Sequence, residues 1–152
     1  AIGFSMIDIL NRDSRIKFNL SPVYCAVAAF CFSMTVGVLW EFWEFTMDRL
    51  LHMDMQKDTI IHAFYSTALD PAMQNIAVPV EGITDVIDNG KSLGLGGYLD
   101  IGLYDTMEDL FVNFIGAVVF SVIGYFYVKH RGKGKVARQF IPTLTEDPPK
   151  EE

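Results

Sequence analysis

The sequence predicts an all-α membrane fold: two transmembrane helices as an antiparallel hairpin with a long outward loop, forming the C-terminal part of a larger helical bundle. Three observations carry that prediction. Two apolar blocks, roughly 23–40 and 110–128, are free of charge, the charged residues collect at or beyond their ends, and the outer flanks of the pair are basic while the connection between them is acidic. With 51% hydrophobic and 20% charged residues over 152 positions, only such segregation along the chain reconciles the composition. The net charge of -7 is unevenly placed and leaves no basic footprint for nucleic acid, so that partner is not expected.

Residues 1–10, from Ala1 to Leu10, read as the end of a truncated preceding transmembrane helix. They lack the basic start and small-residue cleavage site of a signal peptide. Residues 11–20 form a cytoplasmic linker containing Arg12, Arg15 and Lys17. Ser21-Pro22 then supplies an N-cap and a first-turn proline, opening a transmembrane helix over 21–50. Val23 to Trp40 carries no charge and, at about 1.5 Å per residue, covers roughly 27 Å, close to a bilayer core. Cys25 and Cys31 fall inside this block, where they are expected to act as small buried hydrophobes.

The second transmembrane helix is placed over 105–128, where Asn113 and Ser121 are the appreciably polar side chains after Asp109. Residues 129–152 form a tail, first basic with Lys129, Arg131, Lys133, Lys135 and Arg138, then mixed in charge, proline-containing and disordered. The Lys/Arg excess on both flanks places the two ends in the cytoplasm and the loop, 51–104, outside. That loop is expected to be partly helical, with a short helix from Asp58 to Leu69 facing Ile60, Ile61, Phe64 and Leu69 inward. The glycine-rich stretch Gly90 to Gly97 fails as a phosphate loop, because Asp85 stands where a Walker glycine is needed, and it fails as a dinucleotide fingerprint at Leu99. It reads as a flexible hinge.

The sharpest chemical signal is Trp40-Glu41-Phe42-Trp43-Glu44-Phe45-Thr46-Met47-Asp48, an acidic and aromatic run at the outer end of the first span. Glu41, Glu44 and Asp48 share an arc of about 60° on a helix, continued backward by Gly37, Ser33 and Ala26. On the second span Asp105, Asp109, Asn113, Gly116 and Gly124 share about 100°. Small residues allow close helix approach, and acids in a span face the bundle interior or a wet cavity. Two antiparallel spans would bring Glu41, Glu44, Asp48, Asp105, Asp109 and Asn113 to similar depth as ligand-binding or proton-binding candidates. Glu41, Glu44, Asp105 and Asp109 form the candidate metal set, with Mg2+ or Ca2+ as the hard cations that all-oxygen clusters favour. Protonated carboxylates in a shared network, or an ordinary interfacial belt with Trp40, Trp43, Tyr98 and Tyr104, are the alternatives. His52 and His62 have no zinc-ligand spacing and read as solvated loop residues.

These residues resemble the YjdF-like family of bacterial multi-span membrane proteins of unknown function. The likeness rests on Gly3-Phe4 with Asn11, on Gly37 to Phe45 with Asp48, on Met55-Gln56, and on Asp105 to Leu110 with Asn113 and Gly116-Ala117. It implies a compact multi-span protein with further spans, and the insert near 57–97 departs from that family's shorter loop. A weaker likeness, through Asp109, Asn113 and Gly116, is to the VanZ-like membrane proteins and implies cell-envelope biology.

The leading expectation is a multi-pass protein of the bacterial cytoplasmic (inner) membrane whose intramembrane acidic pocket binds a cation or polar ligand for transport or envelope maintenance. An enzyme acting on lipid headgroups by metal-assisted carboxylate chemistry is one alternative, although no strong nucleophile or histidine motif supports it. A non-catalytic assembly or packing protein is the other. The expected partners are the lipid bilayer and further transmembrane helices of the same protein, with an oligomer left open.

Overall fold

The computed structural model describes residues 3, 5–7, 9 and 20–130. The linker before Leu20 and the tail beyond His130 lie outside the described residues, and the expectations for them with them. Two long helices, α1 (Pro22–Leu51) and α2 (Leu103–Lys129), enclose six short strands in sequence. The chain forms two compact units, Ala1–Trp40 with Asp109–Glu152, and Glu41–Glu108, and each helix contributes residues to both.

Local chemistry sets the helix ends. Ser21 Oγ accepts a hydrogen bond from the Tyr24 amide at 3.2 Å, and Pro22 occupies the first helical position, where no amide hydrogen is needed. At the other end of α1, Arg49 lies in the last turn, and His52 takes a left-handed φ of 53° that stops the helix. α2 starts from Asp100, whose carboxylate accepts from the amides of Gly102 at 3.2 Å and Tyr104 at 2.7 Å, with Asp105 in the first turn. Lys129 closes the last turn, beside a His130 amide that donates to the Phe126 carbonyl at 3.0 Å.

Both helices are long and apolar enough to cross a membrane, and their most apolar windows are only 11% and 22% buried. The core helix of a water-soluble protein hides most of such a window. Here Val27, Val36, Leu39, Phe111, Val112 and Ile115 all stand exposed, a surface suited to lipid.

The helical unit packs through small residues. Cys25, Ala29 and Tyr127 are buried together, with Ile7, Leu20, Ile123 and Val128 against them. Cys31, expected to be buried, is exposed instead, because it lies on a different face of α1 from Cys25. Phe30 meets Phe114 edge to face at 5.7 Å. Beyond that pair, Asn113 Nδ2 donates to the Ser33 carbonyl at 3.4 Å and lies 3.6 Å from Met34 Sδ. Gly37 makes this approach possible, since a β-carbon there would come within 2.8 Å of Asn113 Cγ. Gly116 has open space at the corresponding position, so the two glycines of the predicted small-residue stripes are not equivalent.

The second unit corrects the all-α expectation, because the loop carries six short strands in three antiparallel pairs. β1 (Ile60–Ile61) pairs antiparallel with β6 (Tyr98–Leu99), β2 (Ala63–Ser66) with β3 (Val78–Glu81), and β4 (Ile87–Asp88) with β5 (Lys91–Ser92). The short helix expected from Asp58 to Leu69 does not form; only Thr67–Leu69 makes a 3-10 turn. Ile60-Ile61 is β-branched, and Ala63 to Ser66 alternates exposed with half-buried, placing Phe64 5.4 Å from Tyr98. Leu69, expected to face inward, is exposed.

The glycine-rich stretch is likewise a hairpin in its first half, not a hinge. Asn89 and Gly90 both have positive φ, 49° and 80°, the two-residue turn that suits twisted strands, and Asp88 pairs with Lys91 across it. Asp85 anchors the hairpin, accepting from Ser92 Oγ and from the amides of Val86 and Gly94. The Ser92 hydroxyl, with these amides, holds the Asp85 carboxyl below the usual carboxylate range. Asp100 is pushed up by burial, but the amides of Thr59, Tyr104 and Gly102 more than offset this and leave it lowered.

Two outcomes follow. Gly37→Leu should lower the thermal unfolding temperature in detergent, with an overpacking cost of about 1–3 kcal/mol, whereas Gly116→Ala should stay within about 1 kcal/mol of the parent. Because Asp85 and Asp100 are depressed in the folded state, their stabilising contribution is present above the unfolded carboxylate value near ~3.9 and is lost as pH falls through the folded values. Protection of the Gly94 and Tyr104 amides, taken as intrinsic over observed exchange rate, should therefore fall on acidification below about pH 4, and unchanged protection there would contradict the assignment.

Candidate acidic site at the end of the first span

Helical spacing puts Glu41 and Glu44 one turn apart on one face of α1, and both are buried, at 7% and 8% exposure. The aromatics between and around them point the other way: Trp40, Phe42, Trp43 and Phe45 are 53%, 61%, 54% and 51% exposed. Acids inside and aromatics outside is the reverse of a water-soluble amphipathic helix. It is the arrangement expected where the surrounding medium is lipid.

Glu41 and Glu44 each offer a carboxylate oxygen, and these oxygens lie within 4.8 Å of one another. Glu41 Oε2 is buried with no hydrogen-bond partner among the described residues. Removing a carboxylate oxygen from water without a partner costs free energy that a proton or a cation offsets. Oxygen donors at this spacing suit a hard cation such as Mg2+ or Ca2+.

The other acids nominated by the sequence have different surroundings. Asp48 uses both oxygens on the chain that follows α1, accepting from the amides of Met55 at 2.6 Å and Gln56 at 2.9 Å. Asp105 accepts from the Lys57 amide at 3.2 Å. Together with Gln56 Nε2, which donates to Thr106 Oγ1 at 2.7 Å, they strap residues 55–57 to the helix ends. Gly102, at a φ of 83°, lies against this strap, where a β-carbon would come within 2.8 Å of the Gln56 carbonyl oxygen. Asp109 and Asn113 belong to the helical unit, the first exposed and the second half-buried against Ser33.

Sequence reasoning did not single out Asp100, Gln56 or Thr106 as organising residues. Asp100 carried a readable signal, an aspartate just ahead of a helix start. Gln56 and Thr106 entered only through the family likeness, and nothing in the sequence paired them, since their hydrogen bond joins residues 50 positions apart. Asp58 sits near the same strap, and its carboxyl is raised by burial and by the charges of Asp54, Asp100 and Asp48. His62, read as a solvated loop residue, is exposed, with Nδ1 3.0 Å from the Ile83 carbonyl oxygen.

A family model described as "Predicted membrane protein (DUF2238)" matches residues 1–130. No curated protein and no solved structure matches the chain.

Replacing Asp48 by Asn exchanges one acceptor oxygen for a donor and strands one of the two amides it holds, at a cost of about 1–3 kcal/mol. Hydrogen exchange should accelerate at Met55 and Gln56 while the α1 amides before Glu44 keep their protection. Equal acceleration along all of α1 would show that Asp48 supports the helix and not the strap.

Proposed function

Because the chain belongs to the predicted membrane protein family DUF2238, we propose that it is a multi-pass protein of the bacterial cytoplasmic membrane whose Glu41–Glu44 pair binds a hard cation, in the service of transport or envelope maintenance. The observation that carries this reading is the buried Glu41 Oε2, which lacks a hydrogen-bond partner among the described residues. A carboxylate oxygen in that position suits a positively charged partner. Glu44, one turn on, supplies a second oxygen within 4.8 Å.

In this reading Glu41 and Glu44 are the ligands, and Asp48 and Asp105 hold the strap that leaves the pair undisturbed. The likeness of the acidic blocks to the YjdF-like proteins belongs to the same reading. So does the orientation: basic flanks in the cytoplasm and the strand-rich loop outside. Asn113 supports a second, packing role, since its amide bridges to the Ser33 carbonyl over Gly37.

The test is calorimetric titration of Mg2+ and Ca2+ into the purified protein in nanodiscs. Saturable binding is expected for the parent, weakened at least about tenfold, some ~1.4 kcal/mol, in Glu41→Gln and in Glu44→Gln. Absence of binding by the parent, with both variants folded and of ordinary stability, would overturn the cation reading and leave a proton-sharing pair.

A further inference from the structure

We propose that an open groove between α1 and α2 in the helical unit binds an anionic phospholipid, with an acyl chain in the groove and Lys129 at its phosphate. The groove has a volume of about 470 Å³ and is walled by Val23, Val27 and Phe30 of α1 and by Val118, Val122 and Phe126 of α2. Ser121 and Tyr125 also line it, and its surface is almost wholly apolar. It is open along its length, since Val23, Val27, Val122 and Phe126 are each about half exposed. A chain of methylenes fills such a channel without needing a hydrogen bond.

The rim selects the headgroup. Lys129 Nζ lies 5.3 Å from the centre of the Tyr125 ring, and Tyr125 lines the groove, so a cation stands at the end of the apolar channel. A phospholipid satisfies both features at once, an apolar chain along the valines and a negative phosphate at the ammonium. A neighbouring apolar helix would fill the channel but bring no negative group to Lys129. The basic residues next in sequence, Arg131, Lys133 and Lys135, add attraction for an anionic leaflet.

The experiment is native mass spectrometry of the purified, delipidated protein in neutral detergent, titrated separately with phosphatidylglycerol and phosphatidylcholine. The parent is expected to retain phosphatidylglycerol over phosphatidylcholine by about fivefold, the order of discrimination one lysine gives near anionic lipid. Lys129→Ala should abolish the preference while keeping helicity, and Val27→Trp, which fills the channel, should reduce retention of both lipids. Equal retention of the two lipids by the parent would overturn the proposal. So would retention unchanged in both variants.

Discussion

A backbone passing through hydrocarbon must satisfy its own amides and carbonyls, because no water is there to do so. Within α1 and α2 the helical ladder meets that requirement residue by residue. Where the helices end, the ladder runs out, and side-chain carboxylates take over. Asp100 holds the amides that open α2, while Asp48 and Asp105 hold the amides of Met55, Gln56 and Lys57 just after α1. The loop is therefore tied at its roots by aspartates, and three short antiparallel strand pairs satisfy part of the rest of its backbone. Short carboxylates suit this work, since Asp reaches a neighbouring amide with little side-chain freedom to lose.

That arrangement divides the acids of the sequence into two chemical populations. The aspartates near the helix ends are acceptors for backbone amides, and their negative charge is already employed. The glutamates of α1 are longer, lie about one turn (Glu44) and two turns (Glu41) before Asp48, and are buried with aromatic residues exposed around them. A carboxylate in such a place is stabilised only by a proton, a cation or a donor that reaches it. The same helix thus carries Asp48, which organises the chain that follows it, and Glu41, whose buried Oε2 has no hydrogen-bond partner among the described residues.

The two long apolar helices were legible because an uncharged apolar run is a one-dimensional pattern. An uncharged run with Ser21-Pro22 ahead of it, and a second with Lys129 behind it, needs no knowledge of partners. The face shared by Glu41 and Glu44 was legible for the same reason, since helical phase alone puts them together. The loop was not legible to that degree. Ile60, Ile61 and Phe64 fit both a helical face and an alternating strand, and what decides between them is pairing with Leu99, Tyr98 and Val80, far away in the chain. The Asn89-Gly90 turn was a local signal that the surrounding glycines obscured.

What the sequence by itself determined is the pair of apolar helices and the placement of acids at the ends that adjoin the loop, because segregation of charge and helical periodicity are local properties. What only the tertiary structure decided is which residues do which work. It separated Gly37, which another side chain approaches closely, from Gly116, which nothing crowds. It also separated Asp48, occupied by two amides, from Glu41, buried with an oxygen free of hydrogen bonds among the described residues. The physical reason is that burial and hydrogen bonding depend on what the rest of the chain brings to a residue, and spacing along one helix cannot encode that.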